Sequence, residues 1–217
     1  MFLSNQMFGG PALVYYSQNG ILTINKSNFQ DNKSFKGSLS FEFSGLNLTI
    51  DSSNFSFLST TDLDFEFTSV FLVVGELVYL QTTNCVFENN TSNYGFFVLE
   101  DKNNRQTSIY FENITMFRNF AGTTTGIYLF SNKDIIWKNS LIFSHLNISV
   151  ESLIVSVYLP MNYQHLSIFL SNLNISNNLF VWNLQQGSFI TLWAYYEQVM
   201  LTVENCILKT HKHYLKI

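Results

Sequence analysis

The sequence predicts an all-β chain wound as a parallel β-helix of about seven coils. Three features carry this expectation. Alternating apolar strands recur at a near-constant interval, an Asn or a short polar run ends each of them, and hairpin signals are scarce. The clearest copy runs Leu80-Gln81-Thr82-Thr83-Asn84-Cys85-Val86-Phe87-Glu88-Asn89-Asn90, followed by the apolar strand Tyr94 to Leu99.

The same unit appears as Leu22-Thr23-Ile24-Asn25 leading to Asn28-Phe29, and as Leu48-Thr49-Ile50-Asp51 leading to Asn54-Phe55. It returns before Asn113, Asn139, Asn172 and Asn205, so the steps from Asn28 onward are 26, 30, 29, 26, 33 and 33 residues. Each such unit buries its apolar face only against its neighbours, which makes the period a solenoid signature. Asn suits a sharp corner because it tolerates the left-handed backbone and its amide both donates and accepts. The expected structural ladder is Asn28, Asn54, Asn84, Asn113, Asn139, Asn172 and Asn205, stacked as in other in-register assemblies. Ten Gly, two Pro and a single Asn19-Gly20 hairpin signal give little support to the rival fold, an antiparallel sandwich.

Length and composition fit one domain over residues 1 to 217, with regular coils over about 20 to 208. With 47% apolar residues, 22 Phe and 11 Tyr against 12% charged residues, the chain has ample material for a core and is not disordered. A net charge of −4 and only two Arg, Arg105 and Arg118, exclude a phosphate-binding surface, so no nucleic-acid partner is expected. No apolar run reaches the roughly 18 residues needed to span a bilayer. Residues 1 to 6 lack the basic start and apolar core of a signal peptide, and no amphipathic capping helix precedes residue 13 or follows residue 208. The chain is therefore expected to be a fragment of a longer protein.

Along the chain, Leu13 to Tyr16 reads as a first partial strand. Ser38 to Phe43 and Asp62 to Phe67 share one alternation, which would stack Glu42 beside Glu66 on the outer face at about 4.8 Å. Residues 127–130, 153–159 and 189–193 are continuous apolar runs suited to strands covered on both faces. Residues 101–107, 131–134 and 160–165 read as loops.

Asp62, Asp64 and Glu66 form an outward carboxylate row. Paired carboxylates hydrolyse glycosides, and clusters of them hold calcium, whereas a solvated edge is the structural reading. No Lys or Arg is placed beside them. His211 and His213 lack further ligands nearby and read as a polar terminus rather than a zinc site. Cys85 and Cys206 occupy the same position four coils apart, about 19 Å, so they are expected to be free and buried. No cofactor or metal is implied. Nine acceptor sequons, at Asn25, Asn32, Asn47, Asn54, Asn89, Asn90, Asn113, Asn147 and Asn174, favour an extracellular location. Tyr15, Tyr16, Trp182, Trp193, Tyr195 and Tyr196 supply aromatic surface for core packing, for a sugar or for a protein partner.

The turns Phe29-Gln30-Asp31-Asn32 and Phe87-Glu88-Asn89-Asn90, with the degenerate copies Met116-Phe117-Arg118-Asn119 and Ile175-Ser176-Asn177-Asn178, resemble those of right-handed parallel β-helix surface proteins. These are the pectin-lyase-like superfamily in its polymorphic-outer-membrane-protein style. The family's Gly-Gly-Ala-Ile is reduced to a single Gly in Tyr94-Gly95-Phe96-Phe97, Thr125-Gly126-Ile127-Tyr128 and Gln186-Gly187-Ser188-Phe189. The resemblance spans most of residues 20 to 208 and implies a fold without an activity. The superfamily's enzyme signatures Asn-Thr-Asp, Asp-Asp, His-Gly, Arg-x-Lys and Arg-x-Pro-x-x-Arg are absent, and Thr60-Thr61-Asp62 is the nearest approach. The expectation is a non-catalytic structural or adhesion segment of a secreted or cell-surface protein, with carbohydrate or another surface protein as its partner. The alternative is a carbohydrate-active lyase or hydrolase using Asp62, Asp64 and Glu66.

Overall fold

The computed structural model describes residues 2–3, 13–17, 20–34, 37–60, 69–92, 95–101, 107–121, 124–130, 133–143, 146–147, 152–158, 165–176, 179–182, 188–193, 198–209 and 212–215. Among the described residues every regular element is a strand, and every strand pairing is parallel. The chain passes repeatedly through the same three sheets, and each strand bonds the equivalent strand of the previous and the next pass. This is an all-β, parallel-stranded architecture compatible with a parallel β-helix, and it rules out the antiparallel sandwich.

The first sheet has eight three-residue or shorter strands, among them Asn28–Gln30, Asn54–Ser56, Val86–Glu88 and Thr115–Phe117. The second has seven, among them Lys33–Ser34, Ser59–Thr60, Thr91–Ser92 and Phe120–Ala121. The third has twelve strands and is organised on two long ones, Gly37–Asp51 and Ser69–Thr83. Their first halves continue the stack of Gly95–Asp101 and Thr124–Phe130, and their second halves continue that of Thr107–Glu112 and Lys133–Lys138. Gly45, at φ 80°, lies where the register between the two long strands shifts, and glycine accepts that left-handed bulge without a Cβ clash.

Left-handed residues set the corners, two of them in each of the first four passes. Lys26, Ser52, Asn84, Asn113, Asn139, Asn172 and Asn205 have φ of 49 to 55° and turn the third sheet into the first. Asp31, Phe57, Asn89 and Arg118 do the same between the first and second sheets, each five residues after its partner. Backbone amides at the corners bond the next pass, as in Asn84 N to Glu112 O at 3.1 Å and Asn113 N to Lys138 O at 3.2 Å. The strain of a non-glycine residue in this region is thus offset by a hydrogen bond to the stack.

The register corrects the expected ladder. Asn54 aligns with Asn28 but with Val86 on the other side, two residues beyond Asn84. Lys26 and Ser52 hold the corner in those passes. What the corner demands is the backbone angle, and Lys and Ser meet it, so the Asn column starts only at Asn84. The reliable register mark is the phenylalanine. Phe29, Phe55 and Phe87 are all buried and stack nearly parallel, with centroids 5.0 Å apart and planes tilted by 9°. The column continues through Met116, Ile142 and Ile175. A second core column runs Ile24, Ile50, Thr82, Phe111, Trp137 and Leu170, with the Phe111 and Trp137 centroids 5.1 Å apart. Each buried aromatic contributes about 1.5–3 kcal/mol of transfer free energy.

The strand beside Gly37–Asp51 is Ser69–Thr83, so Glu42 aligns with Val74 rather than with Glu66. Lys133 and Asp134 open a strand rather than lie in a loop. Leu13–Ser17 is a strand as expected, and Phe2–Leu3 pairs with Phe29 and Gln30. At the other edge, Gln198–Glu204 pairs on one side only among the described residues, and its inward-column residues Leu201 and Val203 are exposed together with Val199, Met200 and Ile207.

Candidate functional site

The two corners carry different chemistry. The second corner holds a buried amide ladder that follows from the Phe-x-x-Asn turn. Phe enters the core, the third residue turns left-handed, and the Asn side chain is directed inward beside the next strand. Asn32, Asn90 and Asn119 are at most 1% exposed. Asn90 Nδ2 donates to Asn119 Oδ1 at 3.0 Å and to the Phe55 carbonyl at 2.9 Å, while Asn90 Oδ1 accepts from Leu58 N at 2.9 Å. Asn119 Nδ2 donates to the Phe87 carbonyl at 3.0 Å. Buried polar groups of this kind are stable only when they are satisfied, and the Asn90 and Asn119 amides close one pass upon the next.

The first corner is exposed and polar. The residue before each left-handed position faces outward, and these residues align as Asn25, Asp51, Thr83, Glu112 and Lys138. Asp51 Oδ1 accepts from Thr83 Oγ1 at 2.6 Å and from Asn84 Nδ2 at 2.9 Å, and Ser52 Oγ donates to Oδ2 at 2.9 Å. These donors hold the Asp51 carboxyl below its ordinary range, with Thr83 contributing most, followed by Asn84 and Ser52. Asn113 Nδ2 donates to Asn84 Oδ1 at 2.7 Å, Asn172 Nδ2 to Asn139 Oδ1 at 3.0 Å, and Asn139 Nδ2 to Glu112 Oε1 at 3.1 Å. Two runs of amides therefore point the same way, one ending on Asp51 and the other on Glu112. Thr83, Asn84, Glu112, Asn113 and Asn139 line a shallow depression at this corner.

On the adjoining outer face, Tyr110 donates its hydroxyl to Glu112 Oε2. This hydrogen bond, with desolvation second, pushes the phenol up to about 12. Lys138 Nζ lies 5.8 Å from the Tyr110 ring centroid and 5.6 Å from that of Phe169, between two half-buried aromatics. Such contacts are worth about 0.5–1 kcal/mol each at exposed positions. Both Asp51 oxygens and both Glu112 oxygens are engaged by side-chain donors of this chain. The chemistry of the row is thus strand-to-strand attachment, and Asp51 is ionised at neutral pH.

Of the residues singled out from the sequence, Asn84, Asn113, Asn139, Asn172 and Asn205 share one corner column, and Asn28 and Asn54 share a neighbouring one, where Asn54 Nδ2 lies 3.4 Å from Asn28 Oδ1. Asp62, Asp64, Glu66, Tyr195, Tyr196 and His211 lie outside the described residues. Tyr15 and Tyr16 align with Phe41 and Glu42, Trp182 with Leu215, Trp193 with Tyr158, and His213 with Phe180. Cys85 and Cys206 are free thiols, Cys85 fully buried and Cys206 half-buried. Asp51, Thr83, Tyr110, Glu112 and Lys138 were not anticipated. Their signal is their place just before each corner residue, which reads as generic strand polarity until the register is known.

The fold and the site define an all-β protein of stacked parallel strands whose polar corners bind one pass to the next. No protein-family model, curated protein or solved structure matches the chain.

Proposed function

We propose that the chain is a right-handed parallel β-helix of about seven coils that serves as a non-catalytic structural or adhesion segment of a larger secreted or cell-surface protein. The observation that supports this most directly is the row of polar side chains from Asp51 to Asn172, which hydrogen-bond one another across neighbouring strands of the same chain. Such a row stiffens the stack laterally and leaves the outer faces to present side chains at a fixed repeat. A rod of this kind acts geometrically, multiplying weak contacts with carbohydrate or another surface protein by avidity.

The test compares the chain with a triple variant, Asp62→Asn, Asp64→Asn, Glu66→Gln, on a panel of polysaccharides, following both cleavage and binding. The expected result is no cleavage by either protein and unchanged β content. Cleavage by the parent that the triple variant abolishes would replace the scaffold with a carbohydrate-active enzyme.

A further inference from the structure

Nine sequons are present; the side chain of Asn147 lies outside the described residues, and the structure sorts the other eight by exposure and by what each amide does. Asn32 and Asn90 are at most 1% exposed, in the buried ladder, where no oligosaccharide fits. Asn54, Asn89 and Asn174 are half-buried, and the amide oxygens of Asn54 and Asn174 are enclosed. Asn47 is half-buried on the outer face between Ile21 and Tyr79. Asn25 and Asn113 are different: both are exposed.

The geometry points to Asn25 and Asn113 as N-glycan acceptors, on one corner of the stack. Asn25 aligns through Asp51 and Thr83 with Glu112, the neighbour of Asn113, which places the two acceptors on the same edge three strand spacings apart, about 14 Å. Asn113 is the only member of its corner column followed by the required Thr, in Asn113-Ile114-Thr115. Its Nδ2 donates to Asn84 Oδ1 at 2.7 Å, and a glycosylated amide keeps one N–H as a donor.

The co-substrate class is a lipid-linked oligosaccharide. The amide nitrogen attacks the anomeric carbon, the new C–N bond replaces the C–O bond to the lipid diphosphate, which leaves, and the nitrogen loses one proton. The assignment rests on the secreted or surface placement proposed above. It implies that the first corner is the sugar-bearing edge and that partners meet another face.

The experiment is secretion of the chain from a glycosylating eukaryotic host, with intact mass and peptide mapping after enzymatic deglycosylation, which converts each carrier Asn to Asp. Glycans are expected on Asn25 and Asn113, with loss of one glycan in Asn25→Gln, one in Asn113→Gln and both in the double variant. Thr115→Ala, which keeps the Asn, gives the same loss as Asn113→Gln and guards against a folding defect. A folded secreted chain bare at Asn25 and Asn113, or carrying sugar on Asn32 or Asn90, overturns the assignment. Modification at the two sites in the secreting host, with the natural protein found inside its own cells, overturns the placement instead and leaves the acceptors assigned.

Discussion

Asn90 donates both its backbone N–H and its side-chain Nδ2 to the single Oδ1 of Asn119, each at 3.0 Å, in a fully buried site. One amide thus fixes the position of the next pass at two points. Asn90→Ala removes the Asn90 side chain and leaves the Leu58 N–H and the Phe55 carbonyl without these partners. At about 1–3 kcal/mol for each stranded group, the loss is at least about 2 kcal/mol, read as a fall in urea midpoint.

Phe55 lies between Phe29 and Phe87 at 5.0 Å from each, so its loss opens a void that neither neighbour fills. Phe55→Ala is expected to cost about 3–5 kcal/mol and Phe55→Leu clearly less, because the same column carries Met116 and Ile142 further along. Thermal denaturation of the two variants side by side decides this. Equal losses would mean that ring stacking, rather than volume, sets the cost.

Thr82 is fully buried between Ile50 and Phe111, and its hydroxyl has no partner. Thr82→Val keeps the shape and removes the unsatisfied oxygen, and a gain of about 1 kcal/mol is expected by chemical denaturation. A loss would reveal a water or a rotamer that satisfies the hydroxyl.

Asp51 has a folded-state pKa below its ordinary value of 3.8, the Thr83 hydroxyl being the main cause. The unfolded chain therefore binds the proton more readily. The contribution is fully present above about pH 4 and is lost as pH falls through the depressed value. Stability measured from pH 5 downward should decline in the parent, and Asp51→Asn should lack that part of the decline.

Leu201 and Val203 belong to a core column yet are 46% and 53% exposed on the one-sided strand Gln198–Glu204. An apolar strand edge of this kind promotes self-association. The double variant Leu201→Lys, Val203→Lys should lower concentration-dependent light scattering with little change in β content. Unchanged scattering would locate the sticky surface elsewhere.

How much of this was readable depends on what each residue type reports. The stacking repeat was legible because Ile and Leu alternation and the buried Phe are demanded by the core. Cys85 and Cys206 fell four passes apart as expected, and both are free. The register of the first two passes was not legible, because Asn28 and Asn54 imitate a corner held in fact by Lys26 and Ser52. A left-handed corner constrains the backbone, and several side chains satisfy it. The buried role of Asn90 and Asn119 was present in the Phe-x-x-Asn turn, but composition cannot separate an inward amide from an outward one. The carboxylate row at Asp51 and Glu112 depended on partners 32 residues or so away, which only the stacking brings together.

The constant spacing between Lys26 and Asp31, Ser52 and Phe57, Asn84 and Asn89, and Asn113 and Arg118 divides these four passes into an invariant bracket and an adjustable remainder. An insertion inside the bracket would rotate Phe55 or Phe87 out of its pile, whereas residues added outside it leave the pile in place. A gene for such a chain is free to lengthen the segments beyond the bracket while the spacing of the stacked strands stays the same.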